Sequence, residues 1–125
     1  MKKNILISTL LMIGLQSCYY DNAEELYPNI ETNCNIENLS FSTTVTEILS
    51  SRCYGCHNNA NANTYGEGIK LEDYTDVKNA VDGGRLLGSI KQEPGFAAMP
   101  IGAAKLDDCK ISQIEAWINA GAPNN

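Results

Sequence analysis

Residues 53–57 read Cys53-Tyr54-Gly55-Cys56-His57. His57 is the only histidine among 125 residues, and two of the five cysteines stand beside it. The three-residue spacing places both sulfurs on one side of a single helical turn, with the imidazole directly after the second. This grouping of two thiols and an imidazole predicts a functional site.

Three chemistries use such a grouping: thiol–disulfide exchange, zinc binding and attachment of haem. A redox dithiol is expected in a βαβ unit, whereas Cys53 follows a helical pattern. Zinc needs a fourth ligand and usually a second Cys or His pair, which is missing at the required spacing. We therefore expect one covalent haem c, with Cys53 and Cys56 each bonded to a haem vinyl group and His57 bound to the iron.

The residues on either side of this pentapeptide predict helices and a loop. A helical pattern begins after Phe41, where Ser42 or Thr43 is the expected cap. The segment Thr44–Glu47 has the spacing of a capping box. Residues 58–68 are rich in Asn and Gly and predict a loop.

The second half of the chain predicts three further helical segments. Thr75 is expected to cap a short helix over residues 76–81, and residues 86–90 predict one or two more turns. Asp107 is expected to cap the last helix, which should stop at Gly121. This last helix has the clearest apolar periodicity in the chain.

The predicted fold class is all-α, with short helices and long loops. A strand-like pattern is confined to a short piece at residues 68–71. Hydrophobic residues make up 43% of the chain and aromatic residues 7%. Short helices of this composition bury too little apolar surface to form a strong core alone, so we expect the haem to fill the centre.

The beginning of the chain has the pattern of an export signal. Two lysines precede an apolar stretch, residues 5–15, which is too short to span a bilayer. Residues 15–18 read Leu-Gln-Ser-Cys and resemble a bacterial lipoprotein cleavage site. We expect residues 1–17 to be a lipoprotein signal peptide and Cys18 to be the acylated first residue of the mature protein. The alternatives are an ordinary secretory signal cut nearby and an N-terminal anchor helix.

Charge and composition describe the rest of the organisation. Residues 18–33 are acidic without apolar periodicity and predict a solvated tether to a domain at residues 34–125. The net charge is −6, from 9 basic and 15 acidic residues. Loss of the two lysines of the signal leaves 7 basic against 15 acidic residues, a charge of −8. Such a chain repels phosphate backbones, which excludes nucleic-acid binding.

A second axial ligand for the iron follows by elimination. His57 is the only histidine, so ligation by two histidines of one chain is excluded. The other two methionines belong to the signal, and Met99 is the one that remains. It stands before Pro100 in a stretch without helical pattern. A lone methionine otherwise serves as core filler.

The chain resembles the monohaem class I c-type cytochromes, in particular the small lipoprotein cytochromes c of Bacteroidetes-type bacteria. The resemblance covers residues 34–125, and a loop Met-Pro after the haem motif is the arrangement of this class. It implies that Met99 is the second axial ligand and that the haem lies between crossing N-terminal and C-terminal helices. The segments that carry it are the predicted helix before Cys53, Cys53–His57, Gly68–Leu71 with Tyr74, Leu86–Leu87, Met99–Pro100 and Trp117–Ala122.

Two cysteines are left after these assignments, Cys34 and Cys109. Unpaired thiols are unusual in exported proteins, so we expect the two to form a disulfide. The alternative is a pair of buried free cysteines.

The expected function is one-electron transfer, without enzymatic activity. An iron with both axial positions filled by the protein has no vacancy for a substrate. The expected partners are redox proteins, together with a membrane of the cell envelope reached through the lipid anchor, at the periplasmic face or the outer-membrane surface. The alternatives are a gas-binding or sensor module in which Met99 leaves the iron, and a haem-cored structural subunit of a surface complex.

Overall fold

The computed structural model describes residues 34–125. The expected signal peptide, the acylated Cys18 and the acidic tether therefore lie outside the described residues. The described chain is all-α, as predicted, and contains no strand. Its elements are a π-helical turn, Phe41–Val45, and the α-helices α1 Thr46–Arg52, α2 Tyr54–His57, α3 Ala62–Tyr65, α4 Tyr74–Asp82, α5 Arg85–Lys91 and α6 Asp108–Asn119.

The first helical segment begins earlier than predicted. Ser40 caps it instead of Ser42 or Thr43, because its hydroxyl accepts a hydrogen bond from the Thr43 amide at 3.2 Å. The chain then forms the π-helical turn, in which the Thr46 amide donates to the carbonyl of Phe41. This turn of five residues precedes α1, so the cap lies upstream of the two predicted positions.

Two further helix starts differ from the predictions. Helix α3 lies inside the predicted loop, where the side-chain carbonyl of Asn58 accepts from the Asn61 amide at 2.7 Å and starts a turn. Helix α4 begins at Tyr74, so Thr75 lies within its first turn and does not cap it. The carbonyl of Asp73 accepts the first hydrogen bonds of that helix, at 3.0 Å.

Helix α6 begins as predicted. The carboxylate of Asp107 accepts a hydrogen bond from the Lys110 amide at 2.9 Å and satisfies one of the free donors at the helix start. The helix ends at Asn119, and the chain turns at Gly121, whose φ of +95° is readily adopted by glycine.

The core lies where α6 packs against the π-helical turn. The ring of Phe41 stands 5.8 Å from the indole of Trp117 and 5.1 Å, edge to face, from the ring of Tyr74. The indole N–H donates to the carbonyl of Pro123 at 3.0 Å, and the Tyr74 hydroxyl donates to that of Ala122 at 2.8 Å. These aromatic residues therefore join the first, middle and last parts of the described chain.

Helix α5 packs against both α4 and α6. Its buried side chains are Leu86 and Ile90, and the ammonium of Lys91 pairs with Glu115 of α6. None of the helices within residues 34–125 has the length and apolar character needed to cross a bilayer.

Candidate functional site

The two cysteines and the histidine of the pentapeptide lie on one tight turn. Helix α1 ends at Arg52, and Cys53 leaves the helical conformation with φ of −121° and ψ of −33°. The carbonyl of Cys53 accepts hydrogen bonds from the Cys56 amide at 3.1 Å and from the His57 amide at 2.9 Å. The backbone therefore places both cysteines and the histidine on one turn.

The two thiols differ in their surroundings. Cys53 is half-buried and Cys56 is exposed, and both are free. Burial raises the pKa of the Cys53 thiol to about 11, although the positive charge of Arg52 acts in the opposite direction. A redox dithiol requires an accessible thiol with a lowered pKa. The Cys53 thiol has a raised pKa instead, which is the opposite of what the reactive thiol of a redox dithiol requires.

His57 is held by the backbone that follows α3. It is 9% exposed, and its Nδ1 lies 2.9 Å from the carbonyl oxygen of Ile69. A carbonyl oxygen only accepts, so Nδ1 carries a proton, and in the neutral ring Nε2 carries the lone pair. Within residues 34–125 Nε2 has no hydrogen-bond partner, yet it is not sealed from its surroundings. This nitrogen is therefore free to bind a metal.

Gly66 makes the position of this imidazole possible. A Cβ at residue 66 would lie 2.8 Å from His57 Nδ1 and 2.8 Å from the carbonyl oxygen of Cys56. Both distances are shorter than a carbon atom tolerates, so a side chain at this position would displace the ring or the turn. Sequence reasoning missed Gly66, whose only signal is a glycine in an Asn-rich and Gly-rich segment.

Met99 lies on a different part of the chain from the pentapeptide. It is half-buried in the loop between α5 and α6, where its amide donates to the carbonyl of Ser89 at 3.1 Å. The peptide bond to Pro100 is cis. Further along the same loop, the carbonyl of Ala104 accepts from the guanidinium of Arg52 at 3.2 Å. That bond ties the loop to the end of α1, one residue before Cys53.

Cys34 and Cys109 form a disulfide that closes a separation of 75 residues. Cys109 lies in the first turn of α6, where the side-chain amide of Gln113 also donates to the carbonyl of Asn35 at 3.0 Å. A surface cavity of about 240 Å³ lies beside the disulfide. None of the four haem-binding candidates lines this cavity.

The chemistry of the side chains fits haem c better than zinc. Among the described residues, no three His, Cys, Asp or Glu side chains lie close enough together to hold a metal ion. Zinc ligands converge on one point, and the side chains of the motif do not. Haem attachment instead needs two free thiols on one turn and an adjacent imidazole with an open nitrogen, and Cys53, Cys56 and His57 meet this description.

Comparisons with protein-family models, curated proteins and solved structures find no match to this chain.

Proposed function

We propose that this chain is a monohaem c-type cytochrome that carries single electrons in the cell envelope. The observation that carries the proposal is the turn at residues 53–57, which presents two free thiols beside an imidazole whose Nδ1 is bound to the Ile69 carbonyl. The bond to that carbonyl fixes the tautomer in which Nε2 is the metal-binding atom.

Each side chain has a separate role in this proposal. Cys53 and Cys56 form the thioether bonds, His57 is one axial ligand and Met99 is the other. Haem c supplies an iron that accepts and returns one electron. Two neutral axial ligands from the protein leave no position for a substrate, which favours a carrier over an enzyme.

The acidic charge limits the choice of redox partner. The mature chain is expected to carry −8 before the haem propionates are counted, because 15 acidic residues face 7 basic ones. A docking site on the partner should therefore be basic, neutral or apolar. Acylation of Cys18 would keep the domain close to a membrane, on an acidic tether.

Covalent haem is the direct test of the proposal. Co-expression with the bacterial machinery that attaches haem c should give a protein that retains haem on a denaturing gel. The Cys53→Ser, Cys56→Ser double variant is the matched control and should lose it. An exported wild-type chain without covalent haem, beside a loaded reference cytochrome, would refute the proposal.

The absorption spectrum then tests the function of the haem. A weak far-red band in the oxidised protein reports a bond between methionine sulfur and iron. Reduced protein that leaves carbon monoxide unbound supports the electron carrier. Ready binding of carbon monoxide to the reduced wild type would instead favour the gas-binding module.

A further inference from the structure

The ring of Phe96 lies against a part of α5 that carries glycine instead of a side chain. A Cβ at Gly88 would fall within 2.6 Å of three carbons of this ring. At Gly84, one helical turn earlier, the ring is 3.9 Å from the corresponding position. Phe96 as a whole is 37% exposed. Glycine at residue 88 therefore provides the space in which the ring sits.

The same end of α5 holds the backbone of Met99. The Glu93 amide donates to the carbonyl of Gly88 at 2.9 Å, and the Phe96 amide donates to that of Glu93 at 3.2 Å. The Met99 amide donates to the carbonyl of Ser89 at 3.1 Å. The ring and the Met99 amide therefore meet α5 at consecutive residues.

We propose that Phe96, seated on Gly88, positions Met99 as the second axial ligand. This inference rests on the proposed function and deepens it. Phe96 and Gly88 are positioning residues, because they act on the iron only through Met99. Phe96 is the only large apolar side chain in the segment 93–98, so the segment has no other apolar anchor of this size.

The strength of the bond between Met99 and the iron depends on how often the loop adopts the conformation that presents the methionine. A loop that visits several conformations presents its methionine to the iron for only part of the time, and the apparent strength of the bond falls in proportion. The seated ring and the hydrogen bond from the Met99 amide to the Ser89 carbonyl are two contacts that hold the loop against α5. Displacement of the ring should therefore weaken the bond between methionine and iron while the thioether bonds stay intact.

Gly88→Ala in the haem-loaded protein tests the proposal. Alanine has a better helix propensity than glycine in the interior of α5, so any loss arises from the ring and not from the helix. We expect the far-red band to be largely lost. The affinity of the reduced protein for carbon monoxide should rise roughly tenfold, since overpacking strain is relieved by release of the ligand.

Gly83→Ala is the matched control. A Cβ at Gly83 meets the Asn79 carbonyl oxygen at 3.4 Å, an ordinary contact, and does not meet the ring. This variant should keep the band and the carbon monoxide affinity of the wild type. A control that changes as much as Gly88→Ala would overturn the proposal.

A double-mutant cycle separates the ring from other effects. Phe96→Ala should itself weaken the band with haem retained, and Gly88→Ala should add nothing in that background because no ring is left to displace. An unchanged band in Phe96→Ala, or a full further loss in the double variant, would overturn the positioning role. If Gly88→Ala does not fold, Phe96→Ala alone decides.

The outcome for the wild type separates the two proposals. A wild type without covalent haem refutes the cytochrome proposal itself. Covalent haem and a far-red band in the wild type, together with an unchanged band in Gly88→Ala, refute only the positioning role of Phe96 and Gly88.

Discussion

At the scale of single residues, the candidate site depends on how the backbone supports His57. The identity of the imidazole was visible in the sequence, but the carbonyl of Ile69 and the space left by Gly66 were not. Both come from the chain that folds back after α3, and a sequence pattern does not show which backbone group will approach which side chain. The pentapeptide therefore predicted the chemistry and left the geometry open.

Gly66→Ala should destabilise the haem-loaded protein because its methyl group would overlap the imidazole and the carbonyl of Cys56. We expect the free energy of unfolding to fall by about 1–3 kcal/mol, the usual cost of overpacking, and the reduction potential to change. Denaturant unfolding followed at the haem absorbance measures the first, and a redox titration measures the second.

Gly55→Ala is the control for this substitution. It lies between the two cysteines, and a Cβ there meets no atom within 4 Å. Its stability should stay within roughly 0.5 kcal/mol of the wild type or rise slightly. Equal stability of the two variants would show that the close approach at Gly66 is not required.

Met99→Ala should leave the haem covalently attached and open the second axial position. The far-red band should disappear and carbon monoxide should bind readily. The reduction potential should fall, because the sulfur of a methionine ligand favours reduced iron. Absorption spectra with and without carbon monoxide check all but the last, which needs a redox titration. A spectrum identical to that of the wild type would assign Met99 to the core and the ligand to another side chain.

At the scale of the element, apolar periodicity predicted the faces better than the starts. The helical pattern after Phe41 is confirmed, since Val45 and Leu49, four residues apart on this segment, are both fully buried. Ser40 was missed as the cap, because a π-helical turn has no distinct signature in the sequence. Asp107 was found because its position matches the simple pattern of a polar cap before an apolar helix.

Asp107→Ala should lower the free energy of unfolding by about 1 kcal/mol, because the Lys110 amide loses its acceptor at the start of α6. Asp107→Asn should cost less, since asparagine caps almost as well as aspartate. Thermal unfolding at neutral pH compares the two variants with the wild type. Equal losses in both variants would contradict a role of the cap and favour the charge.

The cap should also make stability depend on pH. Two hydrogen bonds lower the pKa of Asp107 below the ordinary 3.8, and the one from the Lys110 side chain has a larger effect than the one from the Lys110 backbone. A carboxylate whose pKa is lower in the folded than in the unfolded state stabilises the fold at pH values above the unfolded pKa. This stabilisation is lost as the pH falls through the folded pKa. The difference in free energy of unfolding between the wild type and Asp107→Asn should therefore shrink below about pH 4. Unfolding curves at several acidic pH values measure it.

At the scale of the whole molecule, the all-α class could be predicted because the apolar positions recur with helical spacing. The cysteine count predicted the link between Cys34 and Cys109 of the last helix, but the side-chain and backbone contacts that join the two ends could not be predicted. Phe41 packs on Trp117. The backbone amide of Phe41 also donates a hydrogen bond to the side-chain oxygen of Asn125 at 2.8 Å. These are contacts between residues far apart in sequence, and no local pattern encodes them.

The disulfide between Cys34 and Cys109 acts at this same scale. It ties the segment before the π-helical turn to the first turn of α6 and closes a separation of 75 residues. By the loop-entropy model, a closure of this length stabilises the fold by about 4 kcal/mol. The Cys34→Ser, Cys109→Ser double variant should therefore unfold at a temperature lower by at least several degrees, which calorimetry of the haem-loaded protein measures.

Axial ligation should be almost unchanged in this double variant, because Cys53, Cys56 and His57 lie on a different turn. The far-red band and the reduction potential are the readouts that check it. An unchanged unfolding temperature would show that the link adds no stability. A lost band would show instead that the start of α6 influences the loop of Met99, so the anchoring of the chain and the ligation of the iron would not be independent.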